Sequence, residues 1–473
     1  MRTPVGDAYD VIVVGLGPGG EFAANKLAGA GLSVLAVDKH LAGGECPYYG
    51  CVPSKLMMRG ATAVVEARHA PGVSGECDVR PDWKAVARRV ARGTHGWDDT
   101  ASVERLQERG ATVLHGEARL TGARSVEVDG TPYSASRAVL LATGTSPAAP
   151  PIDGLADTPF WTNRDIVKVT DLPRTMAVVG AGPIGCELAQ AFARFGVDVT
   201  LLEAGERILA KEEPEVSALM ADVLRRDGMT VRSGVGISRV THRDDGFVLT
   251  VDGEEVRAER LLVAAGRDTG LPAIGLESVG IDTEDRTFVD VDDHLRVRDD
   301  DGATVEGLWA LGDVVGKGLF THVAKYQAAV VIRQLLGEEG PAADYSAVPR
   351  VTFTYPEVGA VGLTEAQARE AGHDVRVGVV DIKDSSRGDL HGEGNDGLVK
   401  LVATGDRLLG GTSVGPMGGE VLAMLTTAVH AGVPVSVLKS MIYAYPTWHG
   451  VVRQALSALG GTAPQRDAPS PLG

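Results

Sequence analysis

The chain has 473 residues, enough for roughly three domains at about 150 residues each. Its 44% hydrophobic and 23% charged content is that of an ordinary globular protein. A formal charge of −17 argues against nucleic acid or an anionic membrane as partner. Four cysteines cannot staple a secreted framework, and no apolar run approaches the ~18 residues of a membrane span, so the expected setting is cytoplasmic.

In chain order, the first unit is a buried strand at Val11–Val14 followed by Gly15-Leu16-Gly17-Pro18-Gly19-Gly20. A helical stretch, a second strand at Ser33–Val37 and a terminal acid, Asp38, complete it. Gly15 permits the tight turn, Gly17 lets backbone approach a pyrophosphate, and Gly20 lets helix pack on strand. The helix N-terminus offers N–H donors to the phosphate, and the acid accepts from ribose hydroxyls. The same unit returns 165 residues later, with Gly180, Gly182 and Gly185 in the turn and Glu203 as the acid. A lone glycine fingerprint is weak, but a duplicated one with strand, helix and acid in register predicts two dinucleotide sites.

Between the two units lies Gly43-Gly44-Glu45-Cys46-Pro47-Tyr48-Tyr49-Gly50-Cys51-Val52-Pro53-Ser54-Lys55. Two cysteines five positions apart read as a redox pair, half of a metal site or chance. No second Cys/His cluster completes a metal site. Beside a flavin or nicotinamide, a redox disulfide is the favoured reading, with a helix start and Lys55 lowering the thiol pKa. Cys77 and Cys186 are expected to be buried, inert thiols.

Closing strands end at Ala142-Thr143-Gly144, at Gly266 before Arg267, and at Gly312-Asp313. From about Tyr345 strand-like and helical stretches mix, as in a separate α+β domain. The proline-bearing residues 461–473 read as a disordered tail.

These motifs, with Tyr355-Pro356-Glu357 and Val361-Gly362-Leu363-Thr364-Glu365, resemble the class I pyridine nucleotide–disulfide oxidoreductases from Tyr9 to about Leu459. The resemblance implies an α/β fold: two Rossmann-like dinucleotide-binding domains, for FAD and NAD(P), and a C-terminal α+β dimerisation domain. The implied boundaries are 1–150 with 275–344 for FAD, 151–274 for NAD(P)H and 345–460 for the interface of a homodimer. FAD would meet Gly15, Gly17, Gly20, Asp38, Lys39, Gly44, Lys55, Ala118, Thr143, Gly144, Asp313 and Thr321. The nicotinamide cofactor would meet Gly180, Gly182, Gly185, Glu187, Glu203 and Gly266. Cys51 would be the thiol beside the flavin and Cys46 the interchange thiol facing substrate. Lys55 and Glu187 would pair near the two rings. Glu203 favours NADH, because an acid repels a 2′-phosphate, while Arg207 keeps NADPH open.

One departure bears on mechanism. Disulfide reductases of this family usually carry His-Pro-Thr-x-x-Glu near the C-terminus; this chain reads Tyr445-Pro446-Thr447-Trp448-His449-Gly450. A tyrosine, with its ordinary pKa near 10, is no ready base at neutral pH. If the segment is helical, His449 shares a face with Tyr445 and offers a displaced base; the favoured reading is a rim residue without a chemical role, because Gly450 leaves no orienting carboxylate. Tyr48 and Tyr49, with Trp448 and Tyr445 opposite, suggest a closed aromatic site for a small acceptor. The expected activity is transfer from NAD(P)H through FAD and the Cys46–Cys51 disulfide to a small disulfide. The alternatives are a quinone, a metal ion or a second nicotinamide as acceptor, or a non-catalytic FAD-binding protein.

Overall fold

The computed structural model describes residues 8–243 and 246–459, and every count below refers to these. The proposed tail at 461–473 lies outside the described residues. The chain forms two compact units. The first takes the described part of Met1–Pro53 with Val90–Ala148 and Arg267–Tyr345; the second takes Ser54–Arg89, Ala149–Gly266 and the described part of Ser346–Gly473.

The first unit is built on an eight-stranded sheet. Its central order is Arg296–Arg298, Thr304–Ala310, Thr131–Leu141, Ala8–Val14, Val34–Asp38 and Thr112–His115. The inner four are parallel, and each contains a short apolar run, Leu308–Ala310, Ala138–Leu141, Val11–Val14 and Val34–Val37, as expected where strands are covered on both faces. Val11, Ile12, Val13, Leu35, Val139 and Leu140 are wholly buried. The hairpin Ala118–Gly122 with Ser125–Val128 branches off the start of the inner strand Thr131–Leu141, pairing with Thr131–Ser134.

The second unit holds three sheets. Thr230–Ser233, Asp198–Glu203, Thr175–Val179 and Arg260–Val263 form a parallel sheet. Ile237–Arg243, Gly246–Val251 and Glu254–Ala258 form a small antiparallel sheet that the sequence reading did not anticipate. Five antiparallel strands, from Arg350–Thr352 to Arg407–Gly415, carry the C-terminal α+β portion. Helices Gly418–His430 and Trp448–Ala458 cover its apolar face through Val421, Leu425, Val452 and Leu456.

The internal repeat is a repeat of geometry. Val11 pairs with Val34 and Met176 with Val199, the same register 165 residues apart. The helices Pro18–Gly29 and Pro183–Arg194 each begin with proline after a glycine N-cap. Proline suits that position because its fixed φ is helical and its missing N–H has no partner to lose. The long helix Cys51–His69 is a single element, and the division between the units falls within it.

Candidate active site

The two glycine turns use matching contacts. A Cβ on Gly20 would run into the Gly15 carbonyl oxygen, and one on Gly185 into that of Gly180, so both third glycines are required by helix–strand contact. Gly15 and Gly180 have φ of 94° and 99°, where a side chain is strained. A Cβ on Gly17 or Gly182 would meet nothing within 4 Å. These middle glycines leave open backbone at an uncapped helix start, the cradle a pyrophosphate needs.

The strand-end acids repeat as well. Leu16 N–H donates to Asp38 Oδ2 at 2.6 Å, and Ala181 N–H to Glu203 Oε2 at 2.7 Å. His40 and Gly205 N–H bind the other oxygens at 2.7 and 2.8 Å. Each carboxylate is thereby fixed at its turn, with lone pairs left for a ribose. Arg207 points elsewhere. Its guanidinium donates to the carbonyls of Glu212 and Ala210 and to Ser217 Oγ at 2.6–2.8 Å.

The first unit gathers most of the remaining expected residues. A Cβ on Gly44 would lie 2.7 Å from Gly17 Cα, which brings Gly44 against the turn. Lys39 makes an exposed pair with Glu117 at 3.8 Å, and Ala118 opens its strand opposite Val128. Thr143 and Gly144 follow the strand Thr131–Leu141, with Gly144 at φ 68°. Asp313 accepts from Thr145 Oγ1 at 3.0 Å, and Arg267 donates to both Thr145 Oγ1 and its carbonyl. Burial raises the Asp313 pKa against the opposing charge of Arg267. Thr145 and Arg267 were not anticipated as site residues; the position of Arg267 directly after Gly266 was the available signal.

Cys46 and Cys51 come together in this unit as free thiols. Cys46 is half-buried in the short helix Glu45–Tyr48, and Cys51 is exposed at the start of Cys51–His69. Thr321, first residue of the helix Thr321–Leu335, places its hydroxyl 3.4 Å from Cys51 Sγ. The expectation of a lowered thiol pKa fails for Cys46. Its hydrogen bond with Cys51 pushes the thiol up, followed by burial and the Cys51 charge; Thr321 and Lys325 pull the other way.

In the second unit Lys55 Nζ donates to Glu187 Oε2 at 2.8 Å, the glutamate side chain being 4% exposed. Phe353, also unanticipated, donates its N–H to Glu187 Oε1 at 2.8 Å and lays its ring 4.7 Å from Lys55 Nζ. Gly266 is exposed beyond the strand Arg260–Val263.

Three sequence expectations are corrected. Tyr445 and His449 share no helical face, because Thr447 caps the helix at Trp448 and Tyr445 lies ahead of it beside the cis Pro446. The aromatic enclosure beside Cys46 loses Tyr48, which is 3% exposed and directs its hydroxyl to the Asp98 carbonyl. Trp448 is engaged within its own unit by the His391 ring and the Arg387 guanidinium. Cys77 is exposed in an irregular stretch rather than buried, while Cys186 is buried as expected.

Residues 9–329 match the family model for pyridine nucleotide-disulphide oxidoreductases, and residues 348–456 match the dimerisation domain of that family. The chain belongs to the pyridine nucleotide-disulphide oxidoreductase family. It is 34% identical over 475 residues to a dihydrolipoyl dehydrogenase of Haloferax volcanii, covering 95% of this chain and 96% of that protein. It is 33% identical over 460 residues to a mercuric reductase of Streptomyces lividans, covering 94% of each. Among solved structures it resembles the HOCl-induced flavoprotein disulfide reductase RclA from Escherichia coli, with TM-score 0.82 and 26% identity over 96% of this chain and 99% of that one. The protein is therefore an FAD-dependent, NAD(P)H-linked disulfide oxidoreductase with a dimerisation domain. No helix among the described residues is long and apolar enough to cross a membrane.

Proposed function

We propose that the enzyme is an NADH-dependent reductase of a small disulfide and works as a homodimer in the cytoplasm, a compartment that keeps free thiols reduced. The observation that carries this reading is the thiol pair Cys46 and Cys51 with the Thr321 hydroxyl 3.4 Å from Cys51 Sγ. FAD, when bound, accepts a hydride from the nicotinamide and supplies two electrons to a disulfide. The protein's part is to hold and direct. Asp38 and the Gly15–Gly20 turn anchor the adenosine side of FAD, with Asp313, Thr143 and Gly144 towards its ribityl side. Glu203 and the Gly180–Gly185 turn anchor the nicotinamide cofactor. Commitment of Arg207 to Glu212, Ala210 and Ser217 removes the cation nearest in sequence to Glu203 and supports NADH over NADPH. Lys55, fixed by Glu187, keeps a cation one helical turn beyond Cys51. Cys51 serves as the flavin-side thiol. Cys46 attacks one sulfur of the acceptor, the other sulfur leaves as a thiolate, and Cys51 then displaces the second product to restore the disulfide.

A second reading has its own support. Tyr445 is 71% exposed and has no histidine on its face to act as a base, which suits an acceptor that needs no proton delivered at sulfur, such as a quinone or a metal ion. Anaerobic titration with NADH, then NADPH, followed by absorbance, separates the two. Disulfide reduction predicts a long-wavelength thiolate–flavin band at two electrons, lost in Cys51→Ser, and readier reduction by NADH. Direct bleaching without that band would exclude it and favour the second reading.

A further inference from the structure

The short helix that carries Cys46 is gripped by a strained strap of the same unit, His95–Asp99. Ahead of the helix Thr100–Glu108, His95, Gly96 and Trp97 stand at φ of 52°, 66° and 60°. Three successive left-handed residues are costly, because only glycine escapes the Cβ clash there. Such strain persists where surrounding contacts fix it. The contacts here run to the segment Ala42–Tyr48.

Trp97 Nε1 donates to the Tyr48 carbonyl at 2.9 Å, and the Tyr48 hydroxyl donates back to the Asp98 carbonyl at 3.4 Å. Tyr48 closes the helix Glu45–Tyr48, so its carbonyl has no donor within that helix. Trp97 supplies one. Asp99 Oδ2 accepts the Ala42 N–H at 2.6 Å and stands 3.3 Å from His115 Nε2. Ala42 leads into Gly43, whose N–H donates to the Leu16 carbonyl of the first glycine turn at 2.7 Å. The strap therefore holds the chain on both sides of Cys46, at Ala42 beside the cofactor turn and at Tyr48 where the cysteine helix ends.

We propose that the strap His95–Asp99 positions Cys46 for closure with Cys51, with Trp97 as the positioning residue. The inference rests on the reading of Cys46 and Cys51 as the redox pair. Trp97 acts on Cys46 through the Tyr48 carbonyl. Opening the disulfide takes up two electrons and two protons and leaves two thiols. Cys51 stays at the start of the helix Cys51–His69. With the helix Glu45–Tyr48 held at its end, Cys46 stays close to it, the effective concentration of one thiol at the other is high, and closure is favoured. Release of Tyr48 lets Cys46 move away once the bond is open, and the disulfide becomes easier to reduce.

The test is the equilibrium of the Cys46–Cys51 disulfide with dithiothreitol in FAD-loaded enzyme, at set ratios of reduced to oxidised reagent without air. One protein disulfide and one dithiol become two protein thiols and the cyclic oxidised reagent. The thiols are trapped with iodoacetamide and read by peptide mass. Trp97→Phe keeps an apolar ring and removes the N–H. It should move the equilibrium about three- to tenfold towards the dithiol, with FAD content unchanged. Trp83→Phe loses an indole bond of the same 2.9 Å length, to the Val169 carbonyl in the second unit, and should leave the equilibrium where it is. A Trp97→Phe equilibrium equal to that of wild type overturns the proposal. So does an equal shift in Trp83→Phe, or a wild type that forms no such disulfide at any ratio. If Trp97→Phe loses FAD, Tyr48→Phe, which cuts the return contact, decides: it should shift the same way by about twofold, and no shift is equally fatal. Dithiothreitol opens the pair whether or not flavin does, so the strap is judged even if the NADH titration shows the cysteines to be bystanders. A long-wavelength band with an unchanged Trp97→Phe equilibrium would keep the function and remove the strap from it.

Discussion

Lys400 has a side chain only 2% exposed and yet carries charge, because Glu213, Glu215 and Glu365 stand 2.8–3.0 Å from its Nζ. Burial alone would depress its pKa; the three carboxylates outweigh burial and raise it. Glu365 is held below the usual carboxylate range by hydrogen bonds from Lys400 and Arg369. The two groups give opposite limbs of a stability profile. The Glu365 contribution is complete above its unfolded pKa of 4.5 and is lost as pH falls through the lower folded value. The Lys400 contribution is complete below its unfolded pKa of 10.5 and is lost as pH rises through the higher folded value. Removing a buried cation leaves buried carboxylate unpaired, so Lys400→Met should cost about 3 kcal/mol at neutral pH. Thermal midpoints across the acid range should also show a flatter acid limb in the variant. An acid limb as steep as that of wild type would mean that other carboxylates govern it. The Lys55–Glu187 pair differs in kind: Lys55 is 35% exposed, so its worth to stability is screened and its placement matters more than its energy.

At the scale of elements, the duplicated strand–turn–helix unit gives a paired experiment. Gly20 and Gly185 occupy the same contact in the two units, each against the carbonyl of the first glycine in its turn. Gly20→Ala should push the helix Pro18–Gly29 off its strand and yield protein that purifies with little or no FAD. Gly185→Ala should keep its FAD, by absorbance ratio, while losing at least tenfold in nicotinamide-driven flavin reduction at low cofactor concentration. Loss of FAD from both, or from neither, would show that the two turns do not act separately. The same scale explains why Tyr445 and His449 part company. Thr447 accepts the Gly450 N–H as N-cap, so the helix begins too late to include Tyr445.

At the scale of the whole molecule, the second unit leaves an apolar stretch uncovered. Val437, Met441, Ile442 and Tyr445 are 48%, 44%, 99% and 71% exposed within nine residues of one another. They lie inside the segment that matches the dimerisation domain. Apolar exposure concentrated in this way marks an interface. Ile442→Asp should shift the enzyme from dimer to monomer in sedimentation velocity without loss of bound FAD. A variant that remains dimeric at micromolar concentration would place the interface elsewhere. The −17 charge should make the monomer soluble enough to measure.

What the sequence determined by itself was whatever depends on short range and on repetition. The two fingerprints, their 165-residue offset, the acids at the strand ends, the closing strands and the cysteine pair are all local patterns, and local backbone sterics enforce them wherever the chain folds. The departure at Tyr445 was equally plain. Tertiary structure alone decided which side chains converge from distant segments. Thr145 meets both Asp313 and Arg267, Phe353 meets both Lys55 and Glu187, and Thr321 meets Cys51. It also turned Tyr48 into the interior and Arg207 towards Glu212. Spacing along a chain fixes what a helix or a turn places together. Which way a long side chain points is set by the hydrogen bonds and packing that only the assembled unit offers.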